Sequence, residues 1–246
     1  RFNSSVSKDE KELVSLEEYV GRMKKDQKEI YYSLGSSKEA IDLNPHLEIF
    51  KSKGLEVLYL YDPVDEFVVS SIRKHKDFDF KSVDGVDLKE LDKLEDVEKN
   101  EEPKEKFSKE DDKAFGKLLL KMKEILGDRV TEVHESKRLK GSPSCLINPD
   151  DTMSSTMQKI LKMSNQGMAM PPQKRLMEIN KDHKLIKNLM NVFKKNESDQ
   201  FIADTTEQLY ESALLLEGNL EDPHKLVNRL NKMLTDASEL YSKSKE

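Results

Sequence analysis

The stretch that decides the fold runs from residue 54 to residue 66, Gly54-Leu-Glu-Val-Leu-Tyr-Leu-Tyr-Asp-Pro-Val-Asp-Glu66. Its middle, residues 55–61, is apolar with little alternation, which is typical of a strand covered on both faces. A helix that ends at Gly54 precedes it, and Asp62-Pro63 begins the next helix. A strand between two helices predicts a parallel sheet with right-handed crossover connections.

The same alternation of helix and strand extends on both sides of this stretch. Upstream, Ser15 and Glu18 have the spacing of a capping box that begins a helix, and residues 30–34 are typical of a buried strand. Downstream, residues 78–83 are a further candidate strand. We therefore predict a small α/β unit over residues 1–98 with a short, mainly parallel sheet.

After residue 98 the composition of the chain changes. Charged residues crowd together and predict a partly helical link over residues 99–112. Residues 113–246 follow as an α+β unit, in which residues 130–135 and 145–148 are expected to pair across a turn in a small antiparallel sheet. The chain closes with a helical hairpin, for which we predict a four-helix bundle in a dimer.

The composition limits the possible partners and compartments. The chain of 246 residues is 37% charged and 35% hydrophobic, with a formal net charge of −6, which indicates several thin cores. No basic face is visible, so neither nucleic acid nor a membrane surface is expected as a partner. The lone Cys145 is typical of a reducing compartment, so we expect a cytoplasmic protein. Because the chain begins with Arg1 and lacks signal-peptide character, we expect a piece of a longer protein.

A search for catalytic motifs predicts no catalytic residue and no metal site. Nucleotide-binding loops, metal-binding motifs and nucleophile elbows are absent, and the five histidines are scattered. The best catalytic candidates are Asp62 and Asp65, at the end of the buried strand. They suit either a metal-dependent phosphohydrolase or, as the stronger interpretation, the start of a helix that favours negative charge.

Residues 153–170 contain five of the ten methionines. On a helix, one side would carry Met153, Met157, Ile160 and Leu161. Two interpretations stay open from the residues alone. The stripe is either a part of the core or an exposed, adaptable face that binds other proteins, since methionine repacks easily.

The final two helices carry wide apolar stripes. Two helices cannot easily bury such stripes against each other alone, so either a second copy or the rest of the chain must cover them. The residues predicted for the dimer interface are Ile202, Leu209, Ala213, Leu216, Leu226, Leu230, Met233, Leu234 and Ala237.

Four stretches, taken in order, resemble the 90-kDa heat-shock protein family and most of all its bacterial members. They are Ser15-Leu-Glu-Glu-Tyr-Val-Gly-Arg-Met-Lys24, Pro45-His-Leu-Glu-Ile-Phe-Lys-Ser-Lys-Gly-Leu-Glu-Val-Leu58, Asp62-Pro-Val-Asp-Glu66 and Gly218-Asn-Leu-Glu-Asp-Pro223. The resemblance covers nearly the whole chain. It implies the last part of a middle domain followed by a C-terminal dimerisation domain. The chain also lacks the Glu-Glu-Val-Asp tail of cytosolic eukaryotic members, which supports the bacterial resemblance.

The resemblance also implies a function. The family binds ATP and Mg²⁺ in an N-terminal domain that would lie before Arg1, so this piece is expected to need no cofactor and to have no enzymatic activity. The family's contacts with partly unfolded client proteins correspond to the stripe from Met153 to Leu161 and to the pair Glu66 and Phe67.

The leading hypothesis is therefore a non-catalytic chaperone fragment that forms a homodimer and binds unfolded or partly folded proteins. The alternative is a helical scaffold or adaptor with one fixed protein partner. The phosphohydrolase based on Asp62 and Asp65 is the third and weakest hypothesis.

Overall fold

The computed structural model describes residues 1–9, 11–62, 64–86, 88–94, 97, 107–147 and 174–245. Within these residues the chain forms two small β-sheets, each with helices around it. We call the described part of residues 1–97 the N-terminal half and that of residues 107–245 the C-terminal half. Most of the predicted link lies outside the described residues, and the predicted unit boundaries stay predictions.

The N-terminal sheet has the strand order β1-β3-β2-β5-β4. Its strands are β1 (Asn3–Ser4), β2 (Glu29–Leu34), β3 (Leu58–Leu60), β4 (Lys74–His75) and β5 (Phe78–Ser82). The three inner strands are parallel, with Tyr32 opposite Leu58 and Ile30 opposite Phe80. The two edge strands are antiparallel to their neighbours. The prediction of a short, mainly parallel sheet is confirmed.

The helices of this half follow the predicted alternation. They are α1 (Leu16–Arg22), α2 (Lys38–Asp42), α3 (Leu47–Ser52), α4 (Asp65–Ile72) and α5 (Leu88–Leu91). The capping box of α1 is confirmed, because the Glu18 backbone N–H donates to Ser15 Oγ over 3.2 Å and the Ser15 N–H donates to Glu18 Oε2 over 2.6 Å. Helix α4 ends at Ile72, since Arg73 adopts a positive φ and leads into the β4–β5 hairpin.

Two apolar clusters cover the opposite faces of the N-terminal sheet. Because side chains alternate along a strand, Leu58 and Leu60 of β3 enter one cluster, whereas Tyr59 enters the other. On β2, Ile30 and Tyr31 divide in the same way. Burial on both faces explains why residues 55–61 show no polar alternation, although β3 itself is shorter than that stretch.

The C-terminal half has a single large core. Its elements are α6 (Lys109–Leu126), β6 (Val130–Glu135), β7 (Ser144–Ile147), β8 (Arg175–Ile179), α7 (Lys184–Lys195), α8 (Gln200–Leu216) and α9 (His224–Lys243). The core takes residues from α6, the three strands, α7 and α8, including Leu118, Met122, Met177, Leu189 and Leu209. Helix α8 is thus part of the core, and α9 lies outside it.

The C-terminal sheet differs from the prediction. Its order is β6-β8-β7, with β6 parallel to β8 and β7 antiparallel to β8. The expected antiparallel pairing of residues 130–135 with residues 145–148 was therefore wrong. Strand β8 takes the central position, where Met177 and Ile179 are fully buried. A strand with such apolar side chains gains the most free energy from burial at the centre of a sheet, where neighbouring strands lie on both sides.

Candidate functional site

Helix α9 presents an apolar stripe that the described part of the chain leaves uncovered. Leu226 is the one residue of α9 that is buried among those described, whereas Leu234 is 58% exposed and Tyr241 is 67% exposed. The exposed residues recur at alternating steps of three and four, the spacing of a helix that packs against a partner helix. The α9 stripe consists of Val227, Leu230, Leu234, Ala237 and Tyr241.

Ion pairs hold α9 against α8. Arg229 Nη1 donates to Glu211 Oε2 over 2.8 Å, and both side chains are largely buried. Lys232 Nζ donates to Asp204 Oδ2 over 2.9 Å. Burial raises the pKa of Asp204, but hydrogen bonds from Gln200 and Lys232 outweigh this effect and keep the pKa below its usual value. The Lys232–Asp204 pair therefore persists at neutral pH, and the two pairs together fix the direction in which the α9 stripe points.

The residues predicted for the dimer interface divide into two groups. Ile202, Leu209 and Ala213 of α8 are buried in the C-terminal core, and Leu226 is a buried residue of α9. The others are partly or largely exposed: Leu216, Leu230, Met233, Leu234 and Ala237. The exposed group is therefore the one available to a second protein.

A second exposed apolar surface lies on α4. Phe67 is 48% exposed, and Val64 before the helix and Ile72 at its end are also exposed, whereas Val69 is buried. We call Val64, Phe67 and Ile72 the α4 patch. The backbone of Glu66 lies in α4, next to Phe67. Of the two residues predicted to contact client proteins here, Phe67 is exposed to solvent.

The carboxylates of Asp62 and Asp65 act on the backbone at the start of α4. Asp62 Oδ1 accepts a hydrogen bond from the Val64 N–H over 3.0 Å, and Asp65 Oδ2 accepts one from the Asp62 N–H over 3.3 Å. Burial, with a smaller contribution from the charge of Asp62, raises the pKa of Asp65. In the described part of the chain, no three His, Cys, Asp or Glu side chains come close enough to hold a metal ion. These hydrogen bonds hold the turn that leads into α4.

Cys145 lies in β7 and is buried. Burial is the main cause that raises the pKa of its thiol. A neutral, buried thiol is a poor nucleophile, so Cys145 is a structural residue of the C-terminal sheet.

The methionine-rich stripe, with Met153, Met157, Ile160 and Leu161, lies outside the described residues. Ile147 at the end of β7 lies opposite Leu176 near the start of β8.

Two residues of the α9 stripe, Val227 and Tyr241, are absent from the residues predicted for the dimer interface. Tyr241 completes the spacing of three and four that Val227 begins. The signal was present in the sequence as a repeat over residues 227–241.

Among the helices that the structure describes, none is long and apolar enough to cross a membrane.

Comparisons with known proteins agree along the whole chain. The sequence model of the family described as "Hsp90 protein" matches residues 1–246. The chaperone protein HtpG of Oleidesulfovibrio alaskensis is 45% identical over 242 residues, which are 98% of this chain and 38% of that protein. The HtpG of Nitratidesulfovibrio vulgaris is 38% identical over 98% of this chain and 37% of that protein.

A third relative is also an HtpG chaperone that this chain covers only in part. The chaperone protein HtpG of Geobacter sulfurreducens is 40% identical over 220 residues, which are 89% of this chain and 33% of that protein. The chain thus spans less than two fifths of the length of these relatives, at most 38%.

Proposed function

Because the chain belongs to the Hsp90 protein family, we propose that it is one part of an ATP-dependent molecular chaperone. In this proposal the part described here is non-catalytic, and ATP and Mg²⁺ bind in another part of the longer protein. Its own roles are to hold two copies of the chain together and to contribute to the binding of unfolded or partly folded client proteins in the cytoplasm.

The observation that carries the first role is the exposed α9 stripe. Its five residues follow one side of a helix of 20 residues, and contiguous apolar surface of this kind marks a site of protein association. Leu215 and Leu216 at the end of α8, the other helix of the hairpin, are also exposed. A second copy would bring the same two helices and complete a four-helix bundle around a twofold axis.

Within this bundle the predicted residues would have different tasks. Leu216, Leu230, Met233, Leu234 and Ala237 would contact the second copy. Ile202, Leu209, Ala213 and Leu226 would support the interface from behind, because they already join the hairpin to its own chain.

The dimer proposal is tested by placing charges in the stripe. The double substitution Leu230→Asp and Leu234→Asp would bury four carboxylates at the interface of a symmetric dimer. Each leucine contributes ~1.5–3 kcal/mol when it is fully buried, so we expect the dimer to weaken at least ~1000-fold. Sedimentation equilibrium measures this constant directly.

The matched control is Leu120→Asp on α6, which changes a leucine that is 72% exposed and far from the hairpin in sequence. It should leave the dimerisation constant unchanged. Equal dimerisation by the double variant and the control would refute the proposed interface. A chain that stays monomeric and captures one other protein would favour the adaptor alternative.

The second role is supported by the α4 patch and by the family assignment. Phe67 offers an aromatic ring to water beside Glu66 on the same helix, which suits weak contacts with many apolar segments. The stripe of Met153, Met157, Ile160 and Leu161 is proposed as the other client contact. Shallow contacts of this kind bind weakly one by one and gain strength when two copies act together.

A further inference from the structure

The two halves of the chain are joined by polar contacts. The apolar clusters of the N-terminal half take their members from residues 2–94, and the cluster of the C-terminal half takes its members from residues 107–214. None of these described clusters crosses from one half to the other. Hydrogen bonds between the halves join His46 and Glu48, at the start of α3, to the loop of residues 136–143 between β6 and β7.

Glu48 of α3 holds this loop through its backbone. One carboxylate oxygen accepts hydrogen bonds from the N–H groups of Lys140 and Gly141, the second of them 2.8 Å long. The other oxygen accepts from the N–H of Ser142 over 2.9 Å and from its hydroxyl. Because each oxygen receives two donors, the carboxylate fixes the loop in direction as well as in distance.

Arg138 of the same loop makes the second contact between the halves. Its Nη1 atom lies 3.3 Å from His46 Nδ1, and since a guanidinium only donates, Nδ1 is the acceptor. Its Nε atom donates to Glu178 of β8 over 3.2 Å. All three side chains are almost fully buried.

The arrangement of partners lets this junction separate at low cost. When the halves move apart, Arg138 keeps Glu178, which belongs to its own half, and Ser136 continues to donate to Glu178 over 2.7 Å. His46 keeps Asp84 at 3.9 Å, also in its own half. Glu48 is partly exposed, so water molecules donate to its carboxylate in place of the loop. No buried charge loses its last partner, and that loss is what makes the breaking of most buried ion pairs costly.

We propose that Glu48 and Arg138 form a polar catch that sets the orientation of the C-terminal half relative to the N-terminal half and can open while both halves stay folded. Apolar packing would tolerate sliding between the halves. The directed hydrogen bonds of the catch specify one orientation when it is closed and none when it is open. The inference goes beyond the proposed function and does not depend on the α9 stripe.

The test is Glu48→Gln in the full chain. The amide keeps the size of the side chain, but its NH₂ group faces two backbone N–H donors, so half of the catch is lost. The matched control is Glu56→Gln, which breaks an ion pair with Arg22 inside the N-terminal half, where both oxygens accept over 2.8 Å.

The measurement is the distance between dyes on Lys25→Cys and Lys195→Cys, one exposed site in each half. Doubly labelled chains are mixed with excess unlabelled chains, so that only distances within one chain contribute. The starting chain and Glu56→Gln should share one narrow distribution, and Glu48→Gln should broaden it. Amide hydrogen exchange at Gly141 and Ser142 should become at least tenfold faster.

A second variant tests the loop side of the catch. Ser142→Ala removes the hydroxyl donor alone and should broaden the distribution less than Glu48→Gln. Identical distributions for Glu48→Gln and the starting chain would overturn the proposal. Equal broadening by Glu56→Gln would also overturn it, because the effect would then report general loosening of the N-terminal half.

Discussion

The hydroxyl group of Tyr19 ties helix α1 to the N-terminal sheet. It donates to the Glu56 carbonyl over 2.8 Å and accepts from the Tyr31 N–H over 3.0 Å and from Gln27 Nε2 over 3.1 Å. Removing it leaves the buried Tyr31 N–H without that acceptor. We expect Tyr19→Phe to lower the free energy of unfolding by ~1–3 kcal/mol, measured by urea denaturation.

The same variant should change the response to alkaline pH. Burial is the largest cause that raises the pKa of Tyr19 above its usual value of 10.0. The folded state thus favours the neutral hydroxyl, and the stabilisation is complete below pH 10.0 and declines above it. Tyr19→Phe should flatten this decline between pH 9 and 11, roughly one unit on each side of that value. An equal decline in stability in Tyr19→Phe and the starting chain would contradict the assignment.

At the scale of single elements, the two helices of the terminal hairpin have unequal roles. Helix α8 contributes Ile202, Leu209 and Ala213 to the C-terminal core, whereas α9 is attached by Leu226 and by ion pairs such as Arg229–Glu211. The sequence treats both helices alike, since both carry apolar stripes. The structure makes one a core element and the other a surface element.

This difference predicts the outcome of two truncations. A chain that ends at Asn219 loses α9 but keeps the C-terminal core, so it should stay folded and become monomeric. A chain that ends before Ser198 also loses α8. Because each large core residue contributes ~2–5 kcal/mol, this chain should lose the fold of its C-terminal half. Circular dichroism and sedimentation velocity separate the two outcomes, and a dimer of unchanged affinity from the Asn219 chain would exclude α9 as the interface.

At the scale of the whole molecule, the proposed dimer brings together two copies of each client contact. Binding at one contact raises the effective concentration at the second, so two weak contacts together give a higher affinity. Replacing Met153, Met157 and Leu161 with serine in the dimer should weaken binding of a labelled, permanently unfolded test protein by at least ~10-fold, with little change in stability if these residues are exposed.

The control for this prediction is Gln158→Ser on the predicted polar side of the same segment, which should bind as the starting chain does. Fluorescence anisotropy gives the affinity, and thermal denaturation gives the stability. If the methionine stripe were part of the core, the triple variant would instead lose ~2–5 kcal/mol for each large-to-small change. That result would remove the stripe from the proposed client site.

Local sequence patterns predicted a large part of this fold. The capping box at Ser15, the buried strand within residues 55–61 and the helix end at Gly54 depend on neighbours in the chain, and each is present. The α9 stripe is likewise a periodic pattern along one helix. These features follow from propensity and burial within one element, so the sequence by itself determined them.

Only the tertiary structure decided which elements meet. It placed β8 between β6 and β7, buried the α8 stripe while leaving that of α9 in water, and brought Glu48 against a loop more than 90 residues further along the chain. A local pattern shows which surface must be buried, but it does not show which element will bury it. The partner is set by the competition among all elements for the same buried area, and that competition is settled only when the whole chain has folded.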